Sequence, residues 1–154
     1  MTQALRTIQC DLDATRIATR IYQGSAPPPG RDVRRCEFDV LVLSAKEYQP
    51  PAEMFPGVSV VHVPLDDAEL GHAEWIRAVA AADKVARQIR DRDARALITC
   101  AQGRNRSGLV TAITLHLLTG ESGFKIVRHI QRRRQNALTN PSFVKTLMRL
   151  GAPR

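Results

Sequence analysis

The 154-residue sequence has few aromatic residues, few cysteines and no long apolar run. Aromatic residues make up 5% of the chain, which leaves few side chains for stacking on nucleic-acid bases. Three cysteines, at positions 10, 36 and 100, show no metal-ligand spacing and cannot all pair, which favours a reducing cytoplasm. No apolar run reaches the roughly 20 residues of a membrane-spanning helix, and the first ten residues lack the apolar core of a signal peptide. The composition therefore predicts a cytoplasmic protein without a membrane span or a metal site.

Acidic residues are nearly absent from the last third of the chain. Residues 1–103 carry 13 Lys and Arg against 14 Asp and Glu, a net charge of −1. Residues 104–154 carry 10 Lys and Arg and a single acid, Glu121, so this part accounts for the net charge of +8. A basic region of this kind suits an anionic substrate, although each single arginine is more often an ordinary solvent-exposed residue.

Strands and helices alternate along the sequence. The length and the 44% apolar content predict one domain over residues 1–154. We expect one or two strands within 12–23 and further strands at 38–44, 58–63 and 96–99. We expect helices at 72–90, 107–118 and 122–134 and a last helix that starts at Pro141. This order predicts an α/β fold with a central, mostly parallel sheet and helices on both faces.

Single residues refine the predicted helices. Gly120 is expected to end the helix 107–118, and Asn140 is expected to cap the last helix. In the helix 122–134, the spacing of Phe124, Val127 and Ile130 predicts a buried face.

Residues 96–110, ALITCAQGRNRSGLV, combine a short strand, a polar loop and the start of a helix. Cys100 begins the loop, Gly103 lies in its turn and Arg106 follows six residues after the cysteine. A loop that winds into a helix N-terminus directs backbone N–H groups inward and adds the positive end of the helix dipole. Such a field stabilises both a bound phosphate and a thiolate. The motif therefore predicts a phosphate-binding loop with a nucleophilic cysteine.

Each residue of this loop has a predicted role. Cys100 is the candidate nucleophile, and Arg106 binds two phosphate oxygens through its planar guanidinium. Gly103 lets the backbone curl close to the ligand. The Ser107 hydroxyl donates to the thiolate and steadies it as a leaving group. The candidate substrate-binding residues are Ala101, Gln102, Gly103, Arg104, Asn105 and Arg106.

The run Cys-Ala-Gln-Gly-Arg-Asn-Arg-Ser-Gly resembles the Cys-x5-Arg-Ser/Thr phosphate loop of the cysteine-dependent protein tyrosine phosphatases. It is most similar to the small dual-specificity branch, and the resemblance extends over roughly residues 15–150. One position departs from the family pattern, because Thr99 stands where the family has a histidine that orients the loop. We expect the Thr99 hydroxyl to hydrogen-bond the loop in its place.

The resemblance also implies a general acid on a mobile loop. The family places an aspartate about thirty residues before its cysteine, and Asp66 and Asp67 precede Cys100 by 34 and 33 residues. Relatives with paired aspartates use the second one. Asp67 is therefore the candidate general acid, with Asp66 as the alternative.

The family chemistry implies hydrolysis of phosphomonoesters through a phosphocysteine, without a metal or other cofactor. The favoured substrate is phosphotyrosine on a protein, with phosphoserine and phosphothreonine as further protein substrates. Asn105 resembles a residue of RNA 5′-phosphatases, and Arg104 occupies a position where phosphoinositide phosphatases carry lysine. Thr99 leaves open a non-enzymatic alternative, a phosphate-binding pseudophosphatase.

Two further side-chain hypotheses remain open. Cys36 either protects Cys100 as a disulfide or is a plain buried thiol. Arg133 or Arg134 either contacts a second phosphate of the substrate or is exposed to solvent.

Overall fold

The computed structural model describes residues 10–151, which form a five-stranded sheet and four α-helices. The strands are β1 (Thr15–Ala18), β2 (Ile21–Ser25), β3 (Val40–Ala45), β4 (Ser59–Leu65) and β5 (Ala96–Cys100). The helices are α1 (His72–Arg92), α2 (Arg106–Thr119), α3 (Gly123–Arg133) and α4 (Pro141–Leu147), with two 3₁₀ helices at Arg34–Cys36 and Ala52–Met54. Every predicted strand and helix is present, and the α/β fold is confirmed.

β5 is the central strand of the sheet, whose order is β1-β2-β5-β3-β4. It pairs in parallel with β2 and β3, β3 pairs in parallel with β4, and only β1 and β2 are antiparallel. All residues of β3 and β5 are buried, as expected for apolar strands in the middle of a parallel sheet. Because parallel strands end at the same edge, Cys100 lies at the edge where α/β sheets bind ligands.

The two faces of the sheet are covered differently. One face packs against the four α-helices in a core that includes Val42, Ile98 and Leu109. The other face packs against loops and 3₁₀ segments, with Phe38, Leu41 and other apolar residues between them. The four α-helices thus cover one face only, and the prediction of helices on both faces is wrong for the second face, which loops and two short 3₁₀ helices cover.

α3 buries two of the three residues predicted for its inner face, Val127 and Ile130. Phe124 is 57% exposed, so its predicted place in the buried face is wrong, and Ile126 is buried instead. Gly123 also faces inward, so close to the backbone of Leu147 that any larger residue would overlap the Leu147 carbonyl group. The buried face therefore starts at Gly123 and continues through residues 126, 127 and 130.

The predicted helix ends are confirmed. Gly120 ends α2 with a φ of 72° and donates its N–H to the His116 carbonyl. The Asn140 side chain caps α4 by accepting hydrogen bonds from the N–H groups of Ser142 and Phe143.

The cysteines pair in a way that the sequence analysis did not foresee. Cys10 forms a disulfide with Cys36, and their Cα atoms are 5.1 Å apart. Both hypotheses for Cys36, a disulfide with Cys100 and a plain buried thiol, are therefore wrong, since Cys36 pairs with Cys10 on the loop-covered face while Cys100 lies at the end of β5. Disulfides are rare in the cytoplasm, so this bond weakens the cysteine-based argument for that compartment. Within residues 10–151, no helix is both long and apolar enough to cross a membrane.

Candidate active site

The loop between β5 and α2 forms the floor of a cleft of about 270 Å³. Cys100, only 3% exposed, lies at the base of this cleft. The lining residues are Asp67, Cys100, Ala101, Gln102, Arg104, Asn105, Arg106 and Thr139. The structure thus brings the predicted nucleophile, the predicted general acid and five of the six predicted substrate-binding residues to one cleft, whereas Gly103 is buried and does not line it.

The backbone of the loop is oriented by hydrogen bonds to its rear. The carbonyl groups of residues 102–104 all accept hydrogen bonds from the side opposite the cleft. Among the described residues, the N–H groups of 101–105 donate to no protein atom. The donors at the rear are the side chains of Gln23 and Arg134 and the N–H of Leu138. This orientation leaves the loop N–H groups for an anion at the N-terminus of α2.

Gly103 has the role that the sequence predicts. Its φ is +66°, in the region that glycine adopts without strain. A Cβ atom at this position would also overlap the backbone of Gly24 and the guanidinium of Arg134. The loop therefore packs tightly against β2 only because residue 103 has no side chain.

Ser107 contacts the candidate nucleophile directly. Its Oγ lies 3.2 Å from the Cys100 Sγ, and both residues are buried. With Cys100 as a thiolate, the Ser107 hydroxyl is the donor of this hydrogen bond. The pair is placed as the motif predicts.

Arg106 is held from one side by Glu47. Its two terminal nitrogens donate to the Glu47 carboxylate at 2.5 and 2.7 Å, and Nη1 also donates to the Leu65 carbonyl at 3.1 Å. The ion pair lowers the pKa of Glu47 to about 2 and raises that of Arg106 above its ordinary value. The buried Arg106 Nε–H, in contrast, has no acceptor in the described part of the chain. Glu47 and the Leu65 carbonyl thus fix the guanidinium, while its Nε–H remains available as a hydrogen-bond donor.

The sequence analysis did not identify Glu47. It is an exposed acid in the loop after β3, 59 residues from its arginine, so no local pattern marks it. Its pairing with Arg106 depends on β3 and β5 being neighbours.

Thr99 does not contact the loop through its hydroxyl. Its Oγ1 donates to the Val42 carbonyl at 2.7 Å, and its own carbonyl accepts from Ser44 Oγ at 2.6 Å. The predicted bond from the Thr99 hydroxyl to the loop is therefore wrong. Thr99 lies on β5, which pairs with β3, and its hydroxyl therefore reaches the carbonyl of Val42 on the neighbouring strand.

The two candidate aspartates point to different surroundings. Asp67 lines the cleft and accepts hydrogen bonds from Asn105 and Asn140, at 3.1 and 2.8 Å. Asp66 instead lies 3.5 Å from Lys46 Nζ and is absent from the cleft lining. Of the two, Asp67 shares the cleft with Cys100.

Arg134 supports the loop from the rear. It donates through Nε to the Gly103 carbonyl at 2.5 Å and through Nη2 to the Gln102 carbonyl at 3.1 Å. Its other contacts are with Asp13 and Thr15, and the ion pair lowers the pKa of Asp13 to about 2. Both hypotheses for Arg134, contact with a second phosphate and exposure to solvent, are wrong, because the side chain is 11% exposed and lies behind the loop.

Two other arginines near the loop are exposed. Arg133 donates to the carbonyl of Arg16 and is not among the residues that line the cleft. Arg104 lines the cleft and is exposed. Among residues 10–151, no group of three or more His, Cys, Asp or Glu is placed to hold a metal ion.

No protein-family model and no curated protein matches the sequence. Solved structures do match. The crystal structure of human DUSP28 has a TM-score of 0.75 and 23% identity, covering 89% of this chain and 91% of that one. OH1 from the Orf virus, a tyrosine phosphatase, has a TM-score of 0.67 and 22% identity, covering 91% and 87%. The PTP-2 phosphatase of Cydia pomonella has a TM-score of 0.76 and 17% identity, covering 89% of each chain.

These similarities extend over nearly the whole of each chain, and they agree with the phosphate-loop sequence. The protein therefore has the fold of the small dual-specificity branch of the cysteine-dependent protein tyrosine phosphatases.

Proposed function

We propose that this protein is a cysteine-dependent phosphatase that hydrolyses phosphotyrosine on proteins, and also phosphoserine and phosphothreonine. The observation that carries the proposal is the convergence on one cleft of a buried thiol, an arginine and a carboxylate. Cys100 lies at its base, Arg106 at the start of α2 and Asp67 on the loop after β4.

In the proposed first step, the Cys100 thiolate attacks the phosphorus in line with the leaving oxygen. The S–P bond forms as the P–O bond to the leaving group breaks. The departing oxygen takes the bonding electron pair and receives a proton from Asp67. The products are a phosphocysteine and the dephosphorylated alcohol or phenol.

In the second step, water attacks the phosphorus of the phosphocysteine. Asp67, now a carboxylate, accepts a proton from this water. The S–P bond breaks, its electrons return to sulfur and inorganic phosphate leaves. The hydrogen bond from Ser107 stabilises the thiolate that departs.

The negative charge of the phosphoryl group in the transition state is stabilised by groups that the fold has already oriented. The N–H groups of residues 101–105 and the Arg106 Nε–H supply hydrogen-bond donors for the three equatorial oxygens of the phosphoryl group. The α2 dipole adds positive potential at the same place. Because Glu47 and the rear hydrogen bonds hold these donors in place, little reorganisation is needed during the reaction.

The contacts of Asn105 and Arg104 bear on the two alternative substrates, RNA 5′-phosphates and phosphoinositides. Asn105, the residue that suggested an RNA 5′-phosphatase, uses its side chain to bind Asp67 and the backbone at 139–140. Arg104 is exposed at the cleft, where it suits acidic residues around a phosphorylated side chain or a second phosphate. A protein substrate remains the proposal. The cytoplasm remains the proposed compartment, because a reducing environment protects the Cys100 thiol from oxidation.

The test is hydrolysis of p-nitrophenyl phosphate across pH without added metal, by the wild type, Cys100→Ser and Asp67→Asn. We expect turnover by the wild type, none by the serine variant, and loss of the limb of the pH profile that depends on a protonated acid in the asparagine variant. Phosphopeptides and 5′-phosphorylated RNA are then compared as substrates. A reduced wild type no faster than Cys100→Ser would overturn the enzymatic proposal and favour a protein that only binds phosphate.

A further inference from the structure

Both carboxylate oxygens of Asp67 accept hydrogen bonds from asparagine side chains. Asn105 Nδ2 donates to Oδ2 at 3.1 Å, and Asn140 Nδ2 donates to Oδ1 at 2.8 Å. Asn105 belongs to the phosphate loop and Asn140 precedes α4, so the carboxylate is held between two separate segments.

The direction of each asparagine amide is determined by backbone groups. Asn105 Oδ1 accepts from the N–H groups of Thr139 and Asn140 at 2.8 and 2.9 Å. Asn140 Oδ1 accepts from the N–H groups of residues 142 and 143 at 2.9 and 3.3 Å. Since backbone N–H groups only donate, each amide must turn its oxygen to them and its NH₂ to Asp67. Neither amide can flip without losing these bonds.

The loop that carries Asp67 is held at the same place. Asn140 Nδ2 also donates to the Ala68 carbonyl at 2.9 Å, and the N–H of Leu70 donates to Ser142 Oγ at 2.9 Å. The mobile acid loop that the resemblance implies is thus anchored to the start of α4 in this structure. Each Asp67 oxygen retains a second lone pair, so a proton can bind without breaking either hydrogen bond.

We propose that Asn105 and Asn140 are positioning residues that hold Asp67 where it protonates the leaving oxygen, and that they extend the enzyme's range to poor leaving groups. The inference rests on the proposed function. A positioned acid matters most when the leaving group is a poor one, as in alkyl esters such as phosphoserine. A leaving group that departs as a stable anion needs no proton.

The experiment measures kcat/KM for a series of phosphate esters, from 2,4-dinitrophenyl through p-nitrophenyl and phenyl phosphate to an alkyl phosphate. This parameter includes only the steps up to phosphocysteine formation, so slow hydrolysis of the intermediate does not hide the effect. The variants are Asn140→Ser, which retains an oxygen for the α4 cap, Asn105→Ala and Asp67→Asn. Gln135→Ala, an exposed amide in the loop before α4, is the matched control.

We expect Asp67→Asn to lose about 10²-fold or more on phenyl and alkyl phosphates and little on 2,4-dinitrophenyl phosphate. Asn140→Ser and Asn105→Ala should show the same dependence on the leaving group with losses of about 10-fold. Adding Asn140→Ser to Asp67→Asn should cause little further loss, because the positioned acid is already gone. Gln135→Ala should match the wild type across the series.

Equal losses across the series for both asparagine variants would overturn the inference, since a purely structural role damages every substrate alike. Full additivity with Asp67→Asn would overturn it as well. If Asp67→Asn itself shows no dependence on the leaving group, the proposed acid role of Asp67 fails, which is a different result. Thermal unfolding of each variant distinguishes a misfolded protein from a folded one with a misplaced Asp67 carboxylate. If Asn105→Ala is too unstable to assay, Asn140→Ser still tests the inference.

Discussion

Two arginine–carboxylate pairs lie on opposite sides of the phosphate loop, and they use the same chemistry differently. In front, Arg106 pairs with Glu47, and its buried Nε–H has no acceptor within residues 10–151. Behind, Arg134 pairs with Asp13 and gives its Nε–H to the Gly103 carbonyl. The carboxylate fixes the guanidinium in both pairs. The two pairs differ in the remaining Nε–H donor, which has no acceptor among the described residues at Arg106 and binds the loop backbone at Arg134.

The largest expected effect is at the front arginine. Arg106→Lys retains the charge and loses the planar fork, so the residue can no longer bind Glu47 and phosphate oxygens together. We expect kcat/KM for p-nitrophenyl phosphate to fall about 10³-fold, with little change in the thermal unfolding midpoint. A loss of activity in proportion to a loss of folded protein would contradict the distinction between the two arginines.

Replacing Glu47 tests whether Arg106 needs its ion-pair partner for activity. Glu47→Gln removes the bidentate ion pair, so we expect a loss of about 10-fold in kcat/KM from a less constrained guanidinium. Glu53→Gln, an exposed acid in the Ala52–Met54 3₁₀ helix, is the control and should behave as the wild type. Equal activity of the two variants would show that Arg106 is held without Glu47.

The rear arginine should affect stability more than catalysis. Arg134→Met leaves the Gly103 carbonyl without its Arg134 donor, and we expect a loss of about 2 kcal/mol in the free energy of unfolding. Activity of the folded variant should fall less than 10-fold, roughly the effect of a slightly displaced loop. Denaturant unfolding and kcat/KM are measured together, with Arg133→Met as the neighbouring control. An activity loss as large as that of Arg106→Lys would remove the proposed distinction.

The smallest expected effect is a pH dependence of stability. The arginines lower the pKa of Asp13 and of Glu47 to about 2, from ordinary values of 3.8 and 4.5. Since the unfolded chain binds these protons more readily, the stabilisation is complete above about pH 4.5 and is lost as the pH falls toward 2. Both carboxylates are partly exposed, so we expect less than about 1 kcal/mol from each pair.

Urea unfolding between pH 5 and 2.5 measures this dependence. The Asp13→Asn variant should show a flatter profile than the wild type over this range, because one of the two shifted groups is gone. A profile as steep as that of the wild type would mean that the Asp13–Arg134 pair contributes nothing to stability.

Residues close together in the chain made the front of the site predictable. Cys100, Gly103, Arg106 and Ser107 lie within eight positions, between an apolar run that predicts the strand and a helical pattern that starts at Leu109. Asp67 could be predicted only from the family resemblance, because it precedes Cys100 by 33 residues and no local motif connects the two. The Asn140 cap and the Gly120 helix end followed from local backbone preferences.

The rear of the loop was not predictable in this way. Gln23 and Arg134 contact the loop across 80 and 31 residues, and each reads in the sequence as an ordinary polar residue. The disulfide was missed for the same reason, since 26 residues separate Cys10 from Cys36. Phe124 was placed wrongly because the inner face runs through Gly123 and Ile126, and spacing alone does not decide between neighbouring helix positions.

The order of the elements and the loop that begins with Cys100 could be predicted from the sequence, because they depend on contacts between near neighbours. The fold selects which carboxylates hold which arginines, which aspartate shares the cleft with Cys100, and which amides hold that aspartate. These choices depend on strand order and helix packing, which bring distant polar groups within hydrogen-bonding distance. A polar residue in the sequence has many possible partners, and only the folded chain selects one of them.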